Sequence, residues 1–122
     1  NPCITTLMAT ASKHAGLAPR DPFQPGGLLS LGKPGLIDEM FRRAGFNYVA
    51  TSRIDAPFRL PSAGDYLDFI RTSASPIQQI LGQLELDAAN AAWAEMEQRL
   101  QVFNTAAGWE GPNELLLTAA RR

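Results

Sequence analysis

Cysteine and histidine are almost missing from this chain: Cys3 and His14 are the single examples of each. One thiol forms no internal disulfide, and one thiol with one imidazole cannot fill a four-ligand zinc site. An excess of one charge is missing too. Eleven Lys and Arg stand against twelve Asp and Glu, giving a net charge of -1 and a pI of about 5.8. A domain that grips nucleic acid by its phosphates carries a basic excess, so no nucleic-acid partner is expected. No apolar run approaches the roughly 20 residues that span a bilayer, and no membrane association is expected. The opening residues NPCITT lack the basic-then-apolar order of a secretory peptide, and Lys13 and His14 interrupt the apolar residues beyond them. The lack of cysteine pairs agrees with a reducing compartment, so the expected location is cytoplasmic. The residues that are present, 122 in all with 45% hydrophobic and 19% charged side chains, suit one globular domain over residues 1–122.

The pattern along the chain predicts an α+β fold with more helix than strand. Asn1-Pro2 is a good helix opening, because Asn accepts from an orphan amide and Pro tolerates the first helical position. Ile4, Leu7, Met8 and Ala11 follow at helical spacing, and Gly16 is a stop. Residues 17–33 read as a loop rich in Pro and Gly. Pro34 begins a second, amphipathic helix ended by Gly45, with Asp38, Glu39, Arg42 and Arg43 outside. Residues 48–56 read as a strand running into Pro57. Ser62-Ala63-Gly64-Asp65 is a capping box for a helix that buries Tyr66, Leu67, Phe69 and Ile70. Ser75-Pro76 starts another short helix. The longest spans about 87–103, with the stripe Ala89, Trp93, Met96, Leu100 and Phe103. Residues 104–113 read as a turn region. The last segment, 114–120, is apolar on both faces, as in a strand inside a sheet.

Few residues invite a catalytic reading. His14 would need a nucleophile or an orienting carboxylate beside it to act as a general base, and the sequence places neither there. Cys3 near a helix start has the position of an activated thiol, yet a small buried thiol is the commoner case. The glycines of PGGLLSLG at 25–32 lack the G-x-G-x-x-G spacing, the Walker Lys-Ser pair and a preceding strand, so they read as a flexible connection. Glu95 and Glu97 are two apart and share no face; Asp38 and Glu39 are adjacent on an exposed helix. All four read as solvated. The Trp93 and Met96 stripe reads as packing surface. No catalytic, cofactor-binding or metal-binding residue is assigned.

From Pro34 to Arg122 the sequence resembles the C-terminal part of a class I S-adenosylmethionine-dependent methyltransferase. The carrying residues are PGLIDEMFRRAGF at 34–46, the strand after it, APFRLPSA at 56–63 and ELLLTAARR at 114–122. In that family a helix ending AGF leads into the sixth strand, and the seventh and last strand lies between the fifth and sixth. The opening helix resembles the segment after the fifth strand that helps cover the substrate. The resemblance implies an antiparallel strand pair, at about 46–58 and 113–121, covered by several helices. The family's glycine-rich loop and ribose-binding acid belong to its N-terminal half, and Lys33 stands where relatives often place an acid. The resemblance therefore implies part of an enzyme, either a C-terminal fragment or the product of a gene encoding only this half. It would shape the pocket of a small-molecule acceptor and complete the sheet, and it would be inactive alone. S-adenosylmethionine would serve the full-length enzyme, with none expected on this chain.

The alternative is an independent, dimerising helical interaction domain without catalysis. Under either reading the strand from Leu115 to Ala120, uncharged and free of proline, is expected to join two copies into a homodimer.

Overall fold

The computed structural model describes residues 1–122 and is α+β, with five α-helices and two antiparallel sheets. The chain forms two compact units, each built from two separate runs: Asn1–Pro19 with Pro57–Asn113, and Arg20–Ala56 with Glu114–Arg122. No helix is long and apolar enough to cross a membrane.

The larger unit is helical around a small sheet. Helix α1 (Pro2–His14) begins as its sequence predicts: the Asn1 side chain accepts from the Ile4 amide at 3.1 Å. The Asn1 amide group also donates to the Asn113 side chain at 2.9 Å, tying the two ends of the unit. Strand β2 (Phe58–Leu60) precedes α3 (Ala63–Ser73), whose N-cap Ser62 accepts from the Asp65 amide. The Asp65 carboxylate takes the Ser62 hydroxyl rather than the Ser62 amide. Helix α4 (Ser75–Leu81) starts at Ser75-Pro76, and α5 (Leu86–Leu100) ends three residues before the expected limit, where Gln101–Phe103 tightens into a 3-10 turn.

The expected turn region at 104–113 instead supplies two of the three strands of a sheet. Strands β3 (Asn104–Thr105) and β4 (Gly108–Gly111) form a hairpin, and β4 pairs antiparallel with β2 in the order β2-β4-β3. Gly108 makes this possible. Its φ of 138° suits glycine, and a Cβ there would lie 2.8 Å from the Leu60 carbonyl oxygen. Trp109 then enters the core, 2% exposed, stacked on Tyr66 at 4.7 Å and edge-on to Phe103. Its indole N–H donates to the Leu100 carbonyl at 2.8 Å, so the buried ring leaves no unsatisfied donor.

Around that ring the core gathers Cys3, Leu7, Tyr66, Ile77, Met96 and Leu100. The stripe of α5 is rotated from the expected one: Ala92, Met96 and Leu100 are buried, while Ala89 and Trp93 are only half-buried. Phe69, expected inside, is 47% exposed, because Tyr66, Leu67 and Ile70 fill the inner face of α3.

The smaller unit is a helix on a strand pair. Residues 21–36 run through successive hydrogen-bonded turns, including a 3-10 turn at Ser30–Gly32. Helix α2 (Leu36–Arg43) comes next, two residues later than Pro34. It closes on Ala44-Gly45-Phe46 as a Schellman motif: the Phe46 amide donates to the Phe41 carbonyl, the Gly45 amide to Arg42, and Gly45 takes φ 86°. The Phe41 and Phe46 rings, 5.3 Å apart, make the apolar contact that accompanies such a cap. Strand β1 (Asn47–Asp55) leaves the cap and pairs antiparallel with β5 (Glu114–Arg121), with Thr51 opposite Thr118 and Ile54 opposite Leu115. The antiparallel pair expected at about 46–58 and 113–121 is therefore present. Strand β5 does not lie inside a sheet, however; β1 is its one neighbour.

Candidate functional site

The densest cluster of ionisable side chains joins α1 to α5 in the larger unit. Lys13 and His14 occupy the last turn of α1, where positive charge meets the carbonyl end of the helix dipole. Both reach Glu95 in the middle of α5: His14 Nε2 lies 2.6 Å from Oε2 and Lys13 Nζ 3.0 Å from Oε1. Arg99, one helical turn beyond Glu95, grips Oε1 through its terminal nitrogen at 2.6 Å. These hydrogen bonds, that from His14 foremost and then those from Lys13 and Arg99, pull the Glu95 carboxyl down to about 2. The orienting carboxylate that a histidine base requires is thus present, 81 residues away in sequence.

Chemically the cluster is a clasp more than a dyad. A carboxylate shared among His14, Lys13 and Arg99 has its charge spread over three donors, so little of it is left to polarise the imidazole. Beside it lies an open, shallow groove lined by Ala91, Ala94, Glu95, Gln98 and Arg99, all from one face of α5. An enclosing second wall, which a small-molecule site needs, is missing. Glu95, expected on a solvated face, is the hub of this cluster; Glu97 remains exposed. Trp93 carries the Arg71 guanidinium over its ring at 4.6 Å.

Cys3 is fully buried against Gly111 and the Trp109 ring, and burial pushes its thiol up to about 11. A thiol so raised is not a nucleophile at neutral pH. Burial likewise raises the Tyr66 phenol. No group of three or more His, Cys, Asp or Glu is placed to hold a metal ion.

In the smaller unit a polar network lies between α2 and its sheet. The Thr51 hydroxyl donates to Asp38 Oδ1, so it accepts from Thr118, whose oxygen is 2.7 Å away across the strand pair. Asp38 therefore faces the sheet, with Arg42 at 3.7 Å, and is not on the solvated side where the helical pattern put it. The other exposed pair of that helix, Glu39 and Arg43, is as expected. The glycine stretch at 25–32 follows no strand, and a Cβ at Gly32 would press on the Phe23 ring at 3.2 Å. It packs against its own loop.

No known family model, curated protein or solved structure matches this chain. Its own geometry is therefore the ground for function. The sheet of the smaller unit is informative here because its two edges differ. Strand β1 carries an extra residue between Asn47 and Ala50, with Tyr48 at φ 49°, and presents Arg53 and Asp55 toward its end. Bulges and charges of this kind block further pairing. Strand β5 has no bulge in its own chain, no proline, and no charge from Leu115 to Ala120. One edge is protected and one is open.

Proposed function

We propose that this chain is the C-terminal, acceptor-covering part of a class I S-adenosylmethionine-dependent methyltransferase. The observation that carries the reading is the edge asymmetry of the β1–β5 pair. If β1 corresponds to the sixth strand, it is the rim of the sheet and needs protection. If β5 corresponds to the seventh, it lies between the fifth and sixth strands and must accept a neighbour on its free side. The order of elements supports the same reading: a helix closed by Ala44-Gly45-Phe46, a strand, a helical excursion over residues 57–113, and a strand returning antiparallel. The excursion shares with α1 a core that includes Trp109, as a stable cover for an acceptor requires.

The residues present do not fit the cofactor itself. A nucleotide-type cradle needs a strand running into a glycine turn and then a helix N-terminus. Gly26, Gly27 and Gly32 follow no strand. The chain alone is therefore expected to give no heat on calorimetric titration with S-adenosylmethionine, whereas a longer protein bearing the cofactor half should bind it and transfer methyl groups. The test is the coding sequence before Asn1. A strand, glycine-rich turn and helix there are the expected finding, and an open reading frame without them overturns the proposal. The competing reading, a non-catalytic interaction domain that dimerises, draws on the same open edge; binding of the cofactor by the longer protein decides against it.

A further inference from the structure

The open edge also bears on the 122-residue chain by itself, where no fifth strand competes for it. We propose that two copies of this chain associate through β5, pairing antiparallel about a two-fold axis with Thr118 opposite Thr118 of the second copy. Three observations select this surface and this register. First, a two-stranded sheet is marginal alone, and of its two edges only that of β5 is straight and uncharged from Leu115 to Ala120. Second, Ile54, Leu115 and Leu117 lie on the face away from the Thr51–Thr118 network and are 43%, 52% and 60% exposed. Such an apolar strip beside an unpaired edge marks a contact surface.

Third, charge fixes the register. An axis perpendicular to the sheet keeps α2 on the same side in both copies, which requires a residue to lie opposite itself. Centring on Leu117 would set Glu114 against Ala120 and leave both terminal arginines without a partner. Centring on Thr118 sets Glu114 against Arg122 of the second copy, twice by symmetry, and Leu117 against Ala119. Opposite charges and threonine pairs directly across two strands are favourable neighbours. Arg122 is exposed and holds no ion pair within its own chain, and the one pair that Glu114 makes there, with Arg53, is long at 3.7 Å and solvent-exposed. Helix α2 leaves room, since its polar anchor is Asp38 on Thr51 of β1.

Sedimentation at micromolar concentration should show a species of two chains. Hydrogen exchange read by NMR should show the β5 amides that point away from β1 protected along with those that point toward it. Arg122→Glu should weaken association about tenfold through its two symmetric sites, and Glu114→Arg with Arg122→Glu should restore it. Circular dichroism of each variant confirms that the fold is kept. A monomer with freely exchanging outward β5 amides overturns the proposal. So does a dimer whose outward β5 amides stay unprotected or whose strength ignores the charge swap, because association then uses another surface. A fifth strand supplied by a longer protein would compete for this edge, so the dimer is tested on the 122-residue chain and the methyltransferase reading on the coding sequence before Asn1.

Discussion

Replacing Gly111 by alanine adds one methyl group at the most crowded point of the larger unit. A Cβ there would overlap Cη2 of Trp109, lie 2.6 Å from its Cζ3, and lie 3.0 Å from the Cys3 sulfur. Carbon atoms in good contact are about 3.5–4.0 Å apart, so the indole must move by roughly an ångström. It has nowhere cheap to go: its N–H is tied to the Leu100 carbonyl at 2.8 Å, Tyr66 stacks on one face, and Phe103 meets it edge-on. The backbone at Gly111 has no positive φ, so the cost is steric and not conformational. Overpacking of this kind costs about 1–3 kcal/mol, and the pinned ring puts Gly111→Ala at the upper end, about 3 kcal/mol. Urea unfolding followed by circular dichroism gives the number directly. Trp109→Phe removes the six-membered ring that blocks the methyl, so Gly111→Ala should cost far less in that background, a coupling that a double-mutant cycle reads. A loss below about 0.5 kcal/mol in the wild-type background would refute the account of a ring locked in place.

Three further outcomes rest on the same packing and electrostatics. Trp109→Ala should cost about 3–5 kcal/mol through the cavity it leaves, while Trp93→Ala should cost less than about 2 kcal/mol because its ring is half-exposed; equal losses in the urea midpoint would contradict this. The Glu95 carboxyl is held at about 2 in the folded chain against about 4.3 when unfolded. The depressed value means that the clasp's contribution is full above the unfolded pKa and is lost as pH falls through about 2. The stability gap between wild type and Glu95→Gln should therefore be present at pH 5 and close toward pH 2, and a gap unchanged at the acid end would be incompatible with the clasp. Cys3 should resist a thiol reagent at pH 8 until the chain is unfolded; native-state labelling at the rate of a free thiol would show it to be accessible.

Much of the helical framework is legible locally, because its signals sit within three or four residues of one another. Asn1-Pro2, Ser62 with Asp65, and Ser75-Pro76 mark starts that the structure keeps. Ala44-Gly45-Phe46 is legible for a physical reason: glycine supplies the left-handed turn and two phenylalanines clip it shut. The small sheet is not legible. Gly108-Trp109-Glu110-Gly111 carries two glycines in four residues and reads as a turn, while its partner Phe58–Leu60 is too short to alternate and lies about fifty residues away. The phase of α5 slips for a related reason. Trp93 looks like the core residue of that helix, but Trp109 from β4 is the buried tryptophan, and Ala92 is the buried residue of that turn of α5. The clasp is hidden by distance, since nothing near Lys13 or His14 signals that a glutamate on another helix will meet them.

The interleaving of the two units sets a constraint on how the chain is made. In order of synthesis, the runs alternate between the larger and the smaller unit, so neither can be cut out as one continuous piece. Helix α1 emerges well before its partners on α5 and the Asn113 side chain that meets Asn1, and β1 likewise waits for β5. At translation rates of about 5–20 residues per second, the apolar face of α1 stands uncovered for several seconds. Contacts spanning most of the chain also slow folding once synthesis is complete. Removing Glu114–Arg122 would strip the smaller unit of a strand and leave every residue of the larger unit in place. The smaller unit therefore waits on Glu114–Arg122, which supply the strand that β1 pairs with.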